Sequence, residues 1–105
     1  HGYPPFLQLI RVLFSSRDAQ ALAAVARAYA HYLRPLVSGN DEICGPAEAP
    51  LAKIKDRYRR QLILKCRDAA AGAAAVEQAA QLLRSGERLP ADLQLAIDVD
   101  PFSVM

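Results

Sequence analysis

The chain has 105 residues, 13 Lys or Arg against 11 Asp or Glu, and a net charge of +2. That is one domain's worth of sequence, and with 52% apolar residues it can fill a single modest core, which excludes a disordered chain. No apolar run reaches the length of a membrane span and no signal peptide is visible, so neither a membrane protein nor a secreted one is expected.

In chain order, Phe6 to Phe14 (FLQLIRVLF) is a nearly continuous apolar run. It reads as a central strand covered on both faces, entered through Pro4 and Pro5, which cannot join a central ladder. Ser15, Ser16 and Asp18 are helix-start residues, with Asp18 the expected N-cap. From Ala19 to Arg34, Leu22, Val25, Ala26, Tyr29 and Leu33 recur at helical spacing on one face. Tyr29 is expected in the core with its hydroxyl near the surface, and Tyr32 exposed. Pro35 and Ser38-Gly39-Asn40 end this helix. Asp41 to Ala47 is a weak edge strand interrupted by Pro46.

Gly45 to Arg67 is the most informative stretch. Pro46 and Pro50 mark its first part as turn-forming, Lys53 to Arg57 read as a basic loop, and Tyr58 to Arg67 alternate as a half-buried strand. Leu62, Leu64 and Cys66 point one way; Arg59, Gln61, Lys65 and Arg67 point the other, with Ile63 the apolar exception. Leu51 to Arg67 hold seven Lys or Arg and one Asp, a local charge of +6, which leaves −4 for the rest of the chain. A strand with one cationic face, entered through a basic loop beside Tyr58, suits a polyanion; a solvated edge guarded by cations has the same pattern.

Asp68 then caps a second helix, Ala69 to Ser85, with Val76, Ala79, Ala80 and Leu83 as its buried stripe and Gly86 as its stop. The small residues around Gly72 imply close packing against a sheet. Leu93 to Val99 alternates: Leu93, Leu95, Ile97 and Val99 go in, Gln94, Ala96 and Asp98 face away, and Pro101 ends the strand. The order is strand, helix, strand, strand, helix, strand. That predicts an α+β, split βαββαβ ferredoxin-like fold: a four-stranded antiparallel sheet with two helices on one face and the other face free to bind.

Chemistry-bearing patterns are sparse. There is no phosphate loop. Arg17 is weak support for the anion loop of an acylphosphatase, and Ser15-Ser16 suit capping better than anion binding. Asp98 and Asp100 share one side of a strand but lack a third ligand, which does not make a Mg²⁺ site. His1 and His31 lack metal spacing. Cys44 and Cys66 have no C-x-x-C spacing and read as reduced thiols, buried as a pair if neighbouring strands bring them together. No metal or cofactor is expected. If Leu7, Leu9 and Leu13 lie on the open face, they favour docking or dimerisation.

Gly45-Pro-Ala-Glu-Ala-Pro50, the Lys-containing segment after it and Arg57-Tyr-Arg-Arg-Gln61 resemble the C-terminal domain of bacterial replication-restart helicases, the primosomal protein N-prime (PriA) family. Tyr3-Pro4-Pro5-Phe6 and Asp98-Val99-Asp100-Pro101 resemble that domain's opening and closing motifs, in the right order. Glu48 stands where the family usually has Pro, Asp56 where it often has Gly, and Arg60 where it often has an aromatic. The resemblance covers nearly the whole chain. It implies that residues 1–105 form the single C-terminal domain of a larger protein of the bacterial cytoplasm and nucleoid; a chain beginning at His1 without an initiator Met agrees. It further implies that the catalytic helicase lobes lie elsewhere, and that this part docks on them and contacts fork or single-stranded DNA. Expected DNA contacts are Lys53, Lys55, Arg57 and Arg59 on phosphate, with Tyr58 stacking if its ring is exposed. Lys65 and Arg67 are expected to meet the acidic tail of single-stranded DNA-binding protein. The alternative is a freestanding ferredoxin-like regulatory or dimerisation domain that binds a small ligand.

Overall fold

A computed structural model describes residues 8–100. The Tyr3–Phe6 motif, Leu7 and Pro101 lie outside the described residues. The elements run β1 (Gln8–Ser16), α1 (Ala19–Leu33), a 3₁₀ turn (Arg34–Leu36), β2 (Glu42–Ile54), β3 (Arg57–Cys66), α2 (Ala69–Gly86) and β4 (Gln94–Asp100). The sheet is antiparallel with order β2-β3-β1-β4, the arrangement expected for the split βαββαβ fold.

Each crossover starts with the same three residues, Arg-Asp-Ala, directly after a strand. Asp18 and Asp68 are the N-caps, and their carboxylates accept from the N–H groups of Ala21 and Ala71 at 3.0 and 3.1 Å. The predicted stripes are buried: Leu22, Val25, Ala26, Tyr29 and Leu33 on α1, and Val76, Ala79, Ala80 and Leu83 on α2. They pack on Ile10, Val12 and Phe14 of β1 and Leu62, Leu64 and Cys66 of β3, all essentially inaccessible. Gly72 is required by contact: a Cβ there would stand 2.5 Å from Cys66 Sγ and 3.0 Å from Ile10 Cδ1. Gly86 is the last helical residue, not a left-handed stop; a Cβ there would collide with the Tyr32 hydroxyl. Burial raises the Cys66 thiol pKa.

Several expectations need correction. Among the described residues β1 is central but covered on one face only: Leu9, Arg11 and Leu13 point to the open side and stay partly exposed. A run of apolar residues therefore marked a central position without marking a second covering layer. β2 is far longer than Asp41–Ala47, because its prolines sit in register shifts between Cys44 and Ala47 and between Glu48 and Lys53, where a missing N–H breaks no ladder bond. Gly45 there has φ 98° and Leu51 φ 55°. The Tyr29 hydroxyl is not near the surface: it donates to the Val76 carbonyl at 2.9 Å inside the core, and burial raises its pKa strongly. Tyr32 is half-buried, and its hydroxyl donates to Glu87 at 2.8 Å, which raises its pKa. Cys44 and Cys66 are not a buried pair; Cys44 pairs with Ile63 on the open face, whereas Cys66 lies under the helices. Val99 points to the helix side as expected but is 40% exposed, since β4 is an edge that the helices only partly cover.

Candidate nucleic-acid interface

The basic residues divide according to strand parity and the β2–β3 turn. Ile54 pairs with Arg57 and Lys53 with Tyr58, so only Lys55 and Asp56 lie between the strands. Both have positive φ, 52° and 66°, as a two-residue hairpin turn with the twist of its strands requires. The expected five-residue basic loop is thus a tight turn, with Lys53 in β2 and Arg57 in β3.

Arg57, Arg59, Gln61, Ile63 and Lys65 point to the open face; Tyr58 and Arg60 point with Leu62 to the helix side. Arg57 is tied to its neighbours. Its Nη2 donates to the Ser15 carbonyl at 3.1 Å and the Asp92 carbonyl at 2.6 Å, and its Nη1 meets the Asp92 carboxylate at 3.3 Å. Asp92 also accepts from the Arg17 N–H and the Ser16 hydroxyl, both at 2.8 Å. These bonds, led by the Arg17 N–H, lower its pKa. The network joins the end of β1 and the start of β3 to the turn before β4, and nothing local in the sequence announces it: Asp92 is 75 residues from Arg17.

Arg59 is held differently. Its Nη1 donates to the carbonyls of Pro50 and Leu51 at 2.8 and 3.2 Å, pinning the bulge where Leu51 takes left-handed backbone. Its remaining guanidinium edge lines a depression of about 250 Å³ with Lys55, Arg57, Ser15, Gln94 and the apolar Leu13 and Ile54. Lys53 and Tyr58 form a separate pair on the other side, with the ammonium 5.1 Å from the ring centroid and 4.0 Å from Asp56. Tyr58 is half-buried against the core margin.

Lys65 lies on the open face at the opposite end of β3, about 26 Å from Arg57 at ~3.3 Å per residue. Arg67, past the end of β3, lines a different depression with Leu36, Val37, Asp41 and Asp68. On the open face Arg11 pairs with Asp98 at 3.7 Å. Asp98 therefore has a cationic partner, and among the described residues there is no group of three or more His, Cys, Asp or Glu placed to hold a metal ion. No described helix is long and apolar enough to cross a membrane.

A family model described as the primosomal protein N C-terminal domain matches residues 1–102. The chain is 29% identical over 104 residues to the replication restart protein PriA of Bacillus subtilis (strain 168), a match covering 99% of this chain and 13% of that protein. To the replication restart protein PriA of Treponema pallidum (strain Nichols) it is 30% identical over 103 residues, covering 98% of this chain and 15% of that one. The chain thus spans about a seventh of these relatives' length. Among solved structures, the de novo designed protein Foldit4 is similar with a TM-score of 0.66 at 7% identity, over 90% of this chain and 97% of that one. That likeness concerns the fold alone.

Proposed function

The chain belongs to the family of primosomal protein N C-terminal domains, and from that premise we propose that it is the DNA-contacting and docking module of a larger replication-restart helicase in the bacterial cytoplasm. The observation that carries the reading is the gathering of Lys55, Arg57 and Arg59 at the hairpin end of the open face, with Lys53 just behind. Of these, Lys53, Lys55 and Arg59 have charge to offer a phosphate. Arg57 is engaged by Asp92 and Ser15 and acts as the brace that holds the hairpin on the sheet. Contacts of this kind fix the backbone without reading sequence, because no described helix lies on the open face.

The far end of β3 is the part of this reading concerned with proteins. Lys65 and Arg67 there would meet the acidic tail of single-stranded DNA-binding protein, and the parent's helicase lobes would complete that surface. Charge reversal at Arg67 in the whole parent protein should weaken binding of the tail peptide. Unchanged affinity removes Arg67 from that role.

The test of the DNA reading is a salt titration of binding to a single-stranded oligonucleotide. With about three phosphates neutralised at ~0.7 each, the log–log slope should be about −2. Replacing Lys53, Lys55 and Arg59 together with Ala should bring it close to zero. A wild-type slope near zero, or a triple variant that titrates like wild type, would leave the basic block as a solvated edge.

A further inference from the structure

Resting on that reading, we infer that the open-face depression at the hairpin end is a seat for one unpaired base, with the adjoining phosphate held by Lys55 and Arg59. The depression has two chemically distinct parts. Leu13 of β1 and Ile54 of β2 supply apolar walls on opposite sides of the β3 arginines, and Ile54 is 37% exposed, a large apolar side chain left facing solvent. Gln94 of β4 and Ser15 of β1 supply hydrogen-bonding groups at the rim, the Ser15 hydroxyl donating to Gln94 Oε1 at a long 3.5 Å, so the Gln94 amide nitrogen remains to bond another partner. Arg57 and Arg59 of β3 stand between the two apolar walls, with Lys55 at the turn.

Phosphate alone would need only the cations. Apolar walls on either side of them match a ligand that is anionic at one point and flat and apolar at the next, which is a nucleotide. About 250 Å³ lies below the roughly 300–1,000 Å³ of sites for drug-sized ligands, so one base fits where a folded peptide would not. Inside a duplex both faces of a base are already stacked and its edge is paired, whereas an unpaired base is free to enter between Leu13 and Ile54. The Arg59 guanidinium is already positioned by the Pro50 and Leu51 carbonyls, so little side-chain freedom is lost when a phosphate arrives.

The experiment compares three probes on the full chain: a short oligothymidylate, its abasic counterpart, and a duplex of the same length. Oligothymidylate should bind more tightly than the abasic strand with the same salt slope. Ile54→Ser and Gln94→Ala, both at exposed positions that folding does not depend on, should each weaken oligothymidylate roughly three- to tenfold and leave the other two probes unchanged. Lys55→Ala and Arg59→Ala should weaken all three. Equal affinity for oligothymidylate and abasic strand, or variants at Ile54 and Gln94 that weaken all probes alike or none, would overturn the base seat while the phosphate reading stands. Failure of all three probes to bind would overturn both.

Discussion

Ile10, Val12 and Phe14 leave β1 toward the helices and are fully buried, whereas their neighbours Leu9, Arg11 and Leu13 leave it toward the open side and stay partly exposed. The same holds in β3, where Leu62 and Leu64 alternate with Gln61, Ile63 and Lys65. On the helix side, close approach sets the residues: Gly72 fits because Cys66 occupies the space a Cβ would need. On the open side no described helix packs, and charges stand beside apolar groups, as where Ile63, Arg11 and Asp98 line up across three strands. One layer of helices therefore divides the sheet into a face that holds the fold together and a face available to partners.

Substitutions across the two faces should separate by size. The largest effect is expected for Phe14→Ala, which empties a site against Tyr29, whose ring stands edge-on at 5.2 Å; the loss should be about 3–5 kcal/mol in denaturant titrations. Tyr29→Phe should cost about 1 kcal/mol, because the Val76 carbonyl loses a buried donor. A cost as small for Phe14→Ala as for Tyr29→Phe would break the assignment of the core to this face.

Asp92→Asn sharpens the comparison at the seam between the faces. The Asp92 pKa is lowered in the folded protein, so its contribution is present above the ordinary carboxylate value of about 3.9 and fades as pH falls through the lower folded value. Melting temperatures of wild type and variant should differ at neutral pH and converge below about pH 3.9. A constant gap down to the acid limit would mean that the Asp92 charge contributes nothing. The smallest effect is expected for Ile63→Thr on the open face, within ~0.5 kcal/mol; a loss as large as that of a core truncation would mean that the open face is packed after all.

The elements and the core were legible because alternation and helical spacing act locally: Asp18 and Asp68 cap as their positions imply, and every predicted stripe residue on both helices is buried. What stayed hidden depends on distance in sequence or on backbone that side chains do not announce. Pro46 and Pro50 read as breaks, yet β2 continues past them by shifting register. Lys53 and Arg57 read as loop because a Lys55-Asp56 turn with two positive φ values lacks the glycine that normally signals it. Arg57 read as a free cation, since neither Asp92 nor Ser15 is near it in sequence.

The division of the sheet into a holding face and a contacting face is tested most directly by mapping backbone amide shifts during titration with a single-stranded oligonucleotide. The account predicts that perturbed amides cluster at Ser15, Ile54 to Arg59 and Gln94, and that α1 and α2 stay silent. Shifts concentrated on the helices, or at Arg67 and the far end of β3, would contradict it.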